Sequence, residues 1–170
     1  MDNYETVEKI IADKYNCETT TRGAIGDFMI DEDFAVDVKS NNLDKNNFAP
    51  NLVSANKVFD WLEGGNELAY IFVDYRVVNG KVQIEKETDL VYIQHIKWDC
   101  LKINCQGLGV IQRAKPLDVD ENQTLEDWFD GLSKEYRTYI NKERIKLTKL
   151  EDKFCSVDEG WRKGTVWGIS

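Results

Sequence analysis

The sequence has little proline, one histidine and no long apolar run, and each shortage excludes a class of protein. Two prolines in 170 residues argue against a long disordered tail, because such tails are usually rich in proline. No stretch of eighteen apolar residues occurs, so we expect no membrane span. The N-terminal segment is acidic and lacks the apolar centre of a signal peptide, so we expect a cytoplasmic protein.

The cysteines lack the spacing of a metal site. Cys17, Cys100, Cys105 and Cys155 include no CxxC pair, and the single histidine, His95, adds little as a zinc ligand. We therefore expect four reduced thiols. Glycine-rich phosphate loops, nucleophile elbows and HExxH are also absent, so the corresponding nucleotide-binding, acyl-transfer and zinc-protease chemistries are not indicated.

Basic residues are in deficit, because the formal net charge is −9, whereas proteins that bind nucleic acid are usually basic. The acids are concentrated near the start of the chain. Residues 1–37 hold ten acids and three bases, and the remaining 133 residues carry a net charge of only −2. A local excess of carboxylates suits a cation site, although composition alone equally fits a solvated acidic surface.

The pattern of apolar residues predicts a helix, several strands with one helix between them, and a terminal helix. This order indicates one domain over residues 1–170, of the mixed α/β (α+β) class, with a mixed central β-sheet flanked by helices. The predicted elements are a helix over 3–15, strands over 24–30 and 34–40, a helix from Pro50 with the stripe Leu52, Ala55, Phe59 and Leu62, strands over 68–78, 81–85, 89–96 and 108–112, and a helical segment at about 124–150.

Two aspartates are expected to face each other across the first predicted hairpin. If residues 31–33 form a three-residue loop, Ile30 pairs with Phe34, and the same register pairs Asp27 with Asp37. Directly opposed carboxylates destabilise a hairpin. A divalent cation between them is one reason for such an arrangement, because magnesium takes carboxylate oxygens as ligands.

Lys39 and Glu8 are further candidates for the same site. Side chains alternate along a strand, so Lys39 shares a face with Asp37. An ammonium there can hold an attacking water or stabilise charge on a phosphate oxygen; the alternative is that Lys39 only neutralises Asp37. Glu8 lies at the edge of the apolar stripe of the first helix, where it can reach the sheet, or it is simply an exposed helix glutamate.

Glu8, Gly26-Asp27 and Asp37-Val38-Lys39 together resemble the active site of the PD-(D/E)XK nucleases, most closely the small type II restriction endonucleases. The resemblance covers residues 4–42 by motif and extends to about residue 78 by the order of elements. Gly26 stands where that family usually has a proline.

The resemblance implies a restriction-endonuclease-like fold and a single nuclease domain. It implies that Mg²⁺ is bound by Asp27, Asp37 and the Val38 carbonyl, that Lys39 orients or activates a water molecule, and that Glu8 assists. It also implies a homodimer that hydrolyses double-stranded DNA at a specific site and leaves 5′-phosphate ends, each subunit cutting one strand.

Candidate DNA contacts lie just after the Asp37-Val38-Lys39 triplet and in the predicted terminal helix. Asparagine can pair with adenine in the major groove, but it is also a common loop residue. The basic segment 134–149 suits phosphate contacts and equally suits a solvated helix face. The candidates after the motif are Ser40, Asn41, Asn42, Asn46 and Asn47.

Two other functions fit the same residues. The chain could be a repair, recombination or phage-related nuclease that recognises DNA structure rather than sequence. It could also be a non-enzymatic protein-binding module in which the Asp37-Val38-Lys39 triplet is incidental.

Overall fold

The computed structural model describes residues 6–45 and 49–162, with side chains up to residue 155. Three short 3₁₀ turns, Ile93–His95, Trp98–Cys100 and Gln106–Leu108, supplement the helices and strands. In chain order the helices and strands are α1 (Val7–Lys14), β1 (Phe28–Asp31), β2 (Phe34–Asn42), β3 (Asn51–Ser54), α2 (Ala55–Glu63), β4 (Glu67–Val78), β5 (Lys81–Glu87), β6 (Val91–Tyr92), β7 (Leu101–Asn104), β8 (Val110–Arg113) and α3 (Leu125–Arg162).

Two sheets organise these elements. The larger sheet has the order β1-β2-β4-β5, and β6 also pairs with β4; the smaller has the order β3-β8-β7. The larger sheet is mixed, because β2 and β4 run parallel while its other pairs are antiparallel. The predicted mixed α/β class with a mixed central sheet is therefore confirmed. The smaller sheet is not among the sequence predictions.

Helices cover both faces of the larger sheet. Because side chains alternate along β2, Val36 and Val38 pack with Ile11 of α1 on one face. Ala35 packs on the opposite face with Tyr70 of β4 and with residues of α2, α3 and the smaller sheet. The odd-numbered residues of β2, which include Asp37 and Lys39, therefore face the layer formed by α2, α3 and the smaller sheet.

The second helix begins later than its sequence pattern predicts. Residues 51–54 form β3, in which Ser54 pairs with Val110, and α2 begins only at Ala55. Pairing with β8 therefore overrides the helical signal from Pro50. The buried stripe of α2 includes Val58 rather than Phe59, whose exposed fraction is 42%.

The terminal helix begins near its predicted start and continues further. The Thr124 hydroxyl accepts a hydrogen bond from the Asp127 N–H at 3.1 Å, and the Asp127 carboxylate accepts one from that hydroxyl at 2.8 Å. This reciprocal cap explains why α3 starts at Leu125. The helix then runs to Arg162 instead of ending near residue 150. No helix of the described part of the chain is long and apolar enough to cross a membrane.

Smaller features of the fold concern a short strand, one turn and the thiols. The predicted strand over 89–96 reduces to β6, Val91–Tyr92, followed by a 3₁₀ turn. The turn at Asn79-Gly80 has positive φ values of 52° and 75°, as a type I′ hairpin requires. All four cysteines are free thiols.

Candidate active site

The β1–β2 hairpin brings Asp27 opposite Asp37. Phe28 pairs directly with Val36, and the Asp27 N–H donates a hydrogen bond to the Val36 carbonyl at 2.8 Å. The same register, continued by one residue, places Asp27 across from Asp37. Directly opposed residues of antiparallel strands project to the same face, so both carboxylates lie on the face of Ala35.

The turn that sets this register differs from the prediction. Asp31 pairs with Phe34, so the turn holds two residues, 32–33, and not three. An irregularity in the ladder between Met29 and Asp31 leaves Ile30 as an extra residue. This bulge offsets the shorter turn, and the register beyond it equals the predicted one. Residues 24–27 form a bend, so β1 begins later than the predicted strand at 24.

Gly26 lets the chain before β1 lie directly against β2. A Cβ atom at this position would lie 2.7 Å from the Val36 carbonyl oxygen. Only glycine permits that approach without a shift of the backbone. The Thr20 hydroxyl donates a hydrogen bond to the Gly26 carbonyl and so fixes the bend that leads to Asp27.

Asp37 is the only buried charged residue in the described part of the chain, with 8% of its surface exposed. Burial raises its pKa to about 7, against the lowering effect of the charge of Lys39 and its hydrogen bond. The charge of Asp27 and a side-chain hydrogen bond with Asp27 contribute to this raised value. Two carboxylates in hydrogen-bonding contact must share a proton or a cation, because both cannot be ionised there without a counter-charge.

Lys39 supplies part of that counter-charge. Its ammonium lies 2.6 Å from Oδ2 of Asp37, and the exposed fractions of the two side chains are 21% and 12%. The pair is therefore largely withdrawn from water, where an ion pair is stronger but also more costly to form. When both carboxylates are ionised, this one cation leaves the group with a net negative charge.

The main chain of β2 also takes part in this group. The Val38 N–H donates a hydrogen bond to Oδ2 of Asp27 at 2.7 Å. Val36 and Val38 point their main-chain groups toward the same side, since these alternate like the side chains. No residue of β1, as the structure describes it, pairs with Val38. The Val38 carbonyl is therefore directed into the space beside Asp27.

These oxygens fit a magnesium ion. Carboxylate and carbonyl oxygens are hard donors, and magnesium usually takes one or two carboxylates and keeps several waters. Carboxylate oxygens of Asp27 and Asp37 and the Val38 carbonyl would be the ligands of such an ion. The described residues contain no group of three or more His, Cys, Asp or Glu side chains suited to a metal, so a resident ion would need backbone and water ligands besides the two aspartates.

Glu8 lies on a different layer from the two aspartates. It is in the first turn of α1 and half-buried. Helix α1 packs on the face of Val36 and Val38, opposite the face that carries Asp37. The structure thus brings together Asp27, Asp37 and Lys39, whereas the helix that carries Glu8 lies across the sheet.

The candidate DNA contacts have mixed placements. Ser40 is half-buried near the end of β2. Asn41 donates to Asp74 at 2.9 Å, and the Asn42 side chain accepts the Asp44 N–H at 3.0 Å, as in a local turn. Asn46 and Asn47 lie outside the described residues. The side chains of the basic segment 134–149 are mostly exposed, and one of them, Lys146, pairs with Glu143.

Tyr70 is a member of this site that the sequence patterns do not reveal. It pairs with Asp37 in the parallel β2–β4 ladder and is completely buried. Its hydroxyl has no hydrogen-bond partner in the described part of the chain. Burial raises its pKa well above the usual value, and the charges of Asp37 and Asp27 raise it further. A buried hydroxyl thus lies within electrostatic reach of both carboxylates.

Comparisons with known proteins give likenesses in structure but none in sequence. No protein-family model matches the sequence, and no curated protein is significantly similar to it. The chain is similar to the solved structure of the NlaIV restriction endonuclease, with 11% identity and a TM-score of 0.49. The match covers 76% of this chain and 62% of that one, so it spans less than two thirds of that protein. A likeness of this size adds no argument about function.

Proposed function

We propose that this protein is a magnesium-dependent nuclease that hydrolyses double-stranded DNA at a specific site, as type II restriction endonucleases do. The observation that carries the proposal is the contact between the Asp27 and Asp37 carboxylates, one of them buried. Such a contact lowers the stability of a protein without a counter-ion. A divalent cation bound between the two carboxylates would compensate their charge and explain why they lie in contact.

The proposal assigns a role to each group of the site. Asp27, Asp37 and the Val38 carbonyl would hold Mg²⁺, which when bound polarises a phosphate oxygen and lowers the pKa of its water. Lys39, fixed by its contact with Asp37, would orient the attacking water and stabilise negative charge on the phosphate. Glu8 belongs to α1, across the sheet, so the proposal gives it only an indirect role through water.

The reaction is an in-line displacement at phosphorus. The water oxygen bonds to phosphorus as the bond from phosphorus to the 3′ oxygen breaks. The water loses a proton, the departing 3′ oxygen gains one, and the products are a 5′-phosphate and a 3′-hydroxyl. A homodimer would place two such sites on the two strands of a near-palindromic sequence.

The test is cleavage of unmethylated DNA of varied sequence in the presence of Mg²⁺. Discrete fragments are expected from the wild type. They should disappear with a chelator and with Asp37→Ala, but persist with Asp13→Asn, which removes an exposed carboxylate paired with Lys9 on the other layer. A folded wild-type protein that leaves every DNA intact would contradict the proposal.

The same assay separates the other two functions. Cleavage of only branched or single-stranded DNA would indicate a nuclease that recognises structure. A protein-binding module predicts that Mg²⁺ neither raises the melting temperature nor distinguishes the wild type from Asp27→Asn. That result would favour protein binding over DNA hydrolysis as the function of this chain.

A further inference from the structure

A cavity of about 370 Å³ opens beside Lys39. It lies between the end of β2 and the middle of β4 on one side and the end of β8, from the smaller sheet, on the other. Pro50 and Arg113 form the far wall, and the Arg113 N–H donates to the Pro50 carbonyl at 3.1 Å. A cavity of this size suits a small ligand or one unit of a larger one. Since Lys39 lines the cavity and also contacts Asp37, the cavity adjoins the carboxylate site.

The lining of this cavity is basic although the chain is acidic. Three basic residues, Lys39, Lys86 and Arg113, and one acidic residue, Asp74, line it, whereas the whole chain carries −9. Even with Lys39 committed to Asp37, two cations face one carboxylate. Local positive charge in a cleft attracts anions despite an opposite net charge.

Arg113 is held in position at the end of β8. It pairs with Leu101 in the smaller sheet, and its guanidinium carbon lies 4.8 Å from the centre of the Phe72 ring. Stacking on an aromatic ring orients the flat guanidinium. A planar, oriented guanidinium matches a phosphate with two parallel hydrogen bonds, which a lysine does not do.

Thr88 adds a neutral donor to the lining. Its hydroxyl oxygen already accepts the Phe72 N–H at 3.1 Å. A hydroxyl that accepts in this way keeps its own O–H for donation. Thr88 lines the cavity together with Lys86 of the neighbouring strand β5. The cavity thus combines charged and neutral donors, the usual set for a phosphate.

We propose that this cavity binds a non-reacting phosphodiester of the DNA strand being cut, with Arg113 as its main contact and Lys86 as the second. The inference rests on the proposed function, because it places the scissile phosphate at Asp27 and Asp37 and the bound phosphate on the far side of Lys39. The cavity then fixes the direction and register of the strand across the site.

The test measures binding of short duplex DNA to the full-length protein in a chelator, so that no cleavage occurs. Arg113→Gln should weaken binding by about tenfold or more and reduce the dependence on salt by about one released ion. Arg113→Lys keeps the charge but loses the planar guanidinium. Its affinity for DNA should therefore lie between that of the wild type and that of Arg113→Gln. Lys9→Gln removes an exposed charge of α1, on the opposite layer of the sheet, and should change affinity less than twofold.

A second arm identifies the ligand by neutralising one phosphate at a time with methylphosphonate. One position should weaken binding to the wild type and have no further effect on Arg113→Gln, because coupled groups do not add. Lys86→Gln changes an exposed side chain and leaves the contact between Arg113 and Phe72 intact. Weaker binding by this variant would therefore not come from a folding defect of the kind that Arg113→Gln could cause. Affinity and salt dependence unchanged in both variants would overturn the inference. So would tight binding of inorganic phosphate with no coupled position in the strand.

The two proposals fail in different ways. If the wild type cuts DNA and both cavity variants bind and cut like it, the subsite is wrong and the nuclease stands. If the two cavity variants lose DNA binding and even the wild type does not cut DNA, the phosphate subsite stands and the proposed hydrolysis is wrong.

Discussion

Asp37→Asn should stabilise the metal-free protein at pH 8. In the folded protein the pKa of Asp37 is raised from the ordinary value of 3.8 to about 7, mainly by burial. The folded state therefore holds this proton more tightly than the unfolded state. As pH rises through this interval, ionisation of Asp37 lowers the stability of the fold, and above pH 7 the loss is complete.

The size of the effect follows from the two pKa values. The difference between 3.8 and about 7 corresponds to about 4 kcal/mol of lost stability at pH 8. Asparagine removes that cost but also removes the ion pair with Lys39, which leaves a partly buried ammonium. The expected net gain is about 1–3 kcal/mol.

Denaturation by urea in a chelator, at intervals from pH 5 to pH 9, measures this gain. The wild type should lose stability relative to Asp37→Asn as pH rises, and the two should converge toward pH 5. With Mg²⁺ present, only the wild type should gain stability, because binding to the folded state alone stabilises it. Asp13→Asn, at an exposed pair, should change little. An asparagine variant that is less stable at pH 8 and keeps the wild-type pH dependence would refute the reasoning.

Three further changes probe the same site. Lys39→Ala should keep DNA binding within a few fold but slow single-turnover cleavage by about 10²–10³-fold; an unchanged rate would remove Lys39 from the chemistry. Gly26→Ala should lower stability by about 1–3 kcal/mol, because its Cβ meets the Val36 carbonyl, and should lower Mg²⁺ affinity as Asp27 shifts; calorimetry measures both. Tyr70→Phe should raise the melting temperature, since its buried hydroxyl lacks a partner in the described structure; a lower melting temperature would indicate a bound water or ion.

The carboxylate hairpin is the part of the site that local sequence rules can predict. Alternation along β2 places Asp37 and Lys39 on one face whatever the tertiary structure. The register to Asp27 depends on the turn, and the three-residue loop is wrong. The predicted register nevertheless matches the structure, because the bulge at Ile30 adds the residue that the two-residue turn removes. The layer of α1, and hence the position of Glu8, depends on packing that one helical stripe does not specify.

The rest of the site depends on contacts between distant segments. Tyr70 lies beside Asp37 because β2 and β4 pair in parallel, and no turn fixes the register of strands joined by a crossover. Arg113 lies over Phe72 because the smaller sheet packs against the larger one. That sheet includes β3, a strand whose sequence predicts a helix. Residues 68–78 and 108–112 read as strands, but their partners are not encoded locally.

Three features that lower stability are concentrated around β2 near Asp37. A buried carboxylate contacts a second one, a buried tyrosine hydroxyl lacks a partner in the described structure, and a backbone contact at Gly26 admits no side chain. The other face of the same strand follows ordinary rules, since Val36 and Val38 pack against α1. A strand that served packing alone would carry an apolar residue in place of Asp37. Because departures from local rules tend to cluster where function requires them, this concentration supports a functional site more strongly than the short sequence motif does.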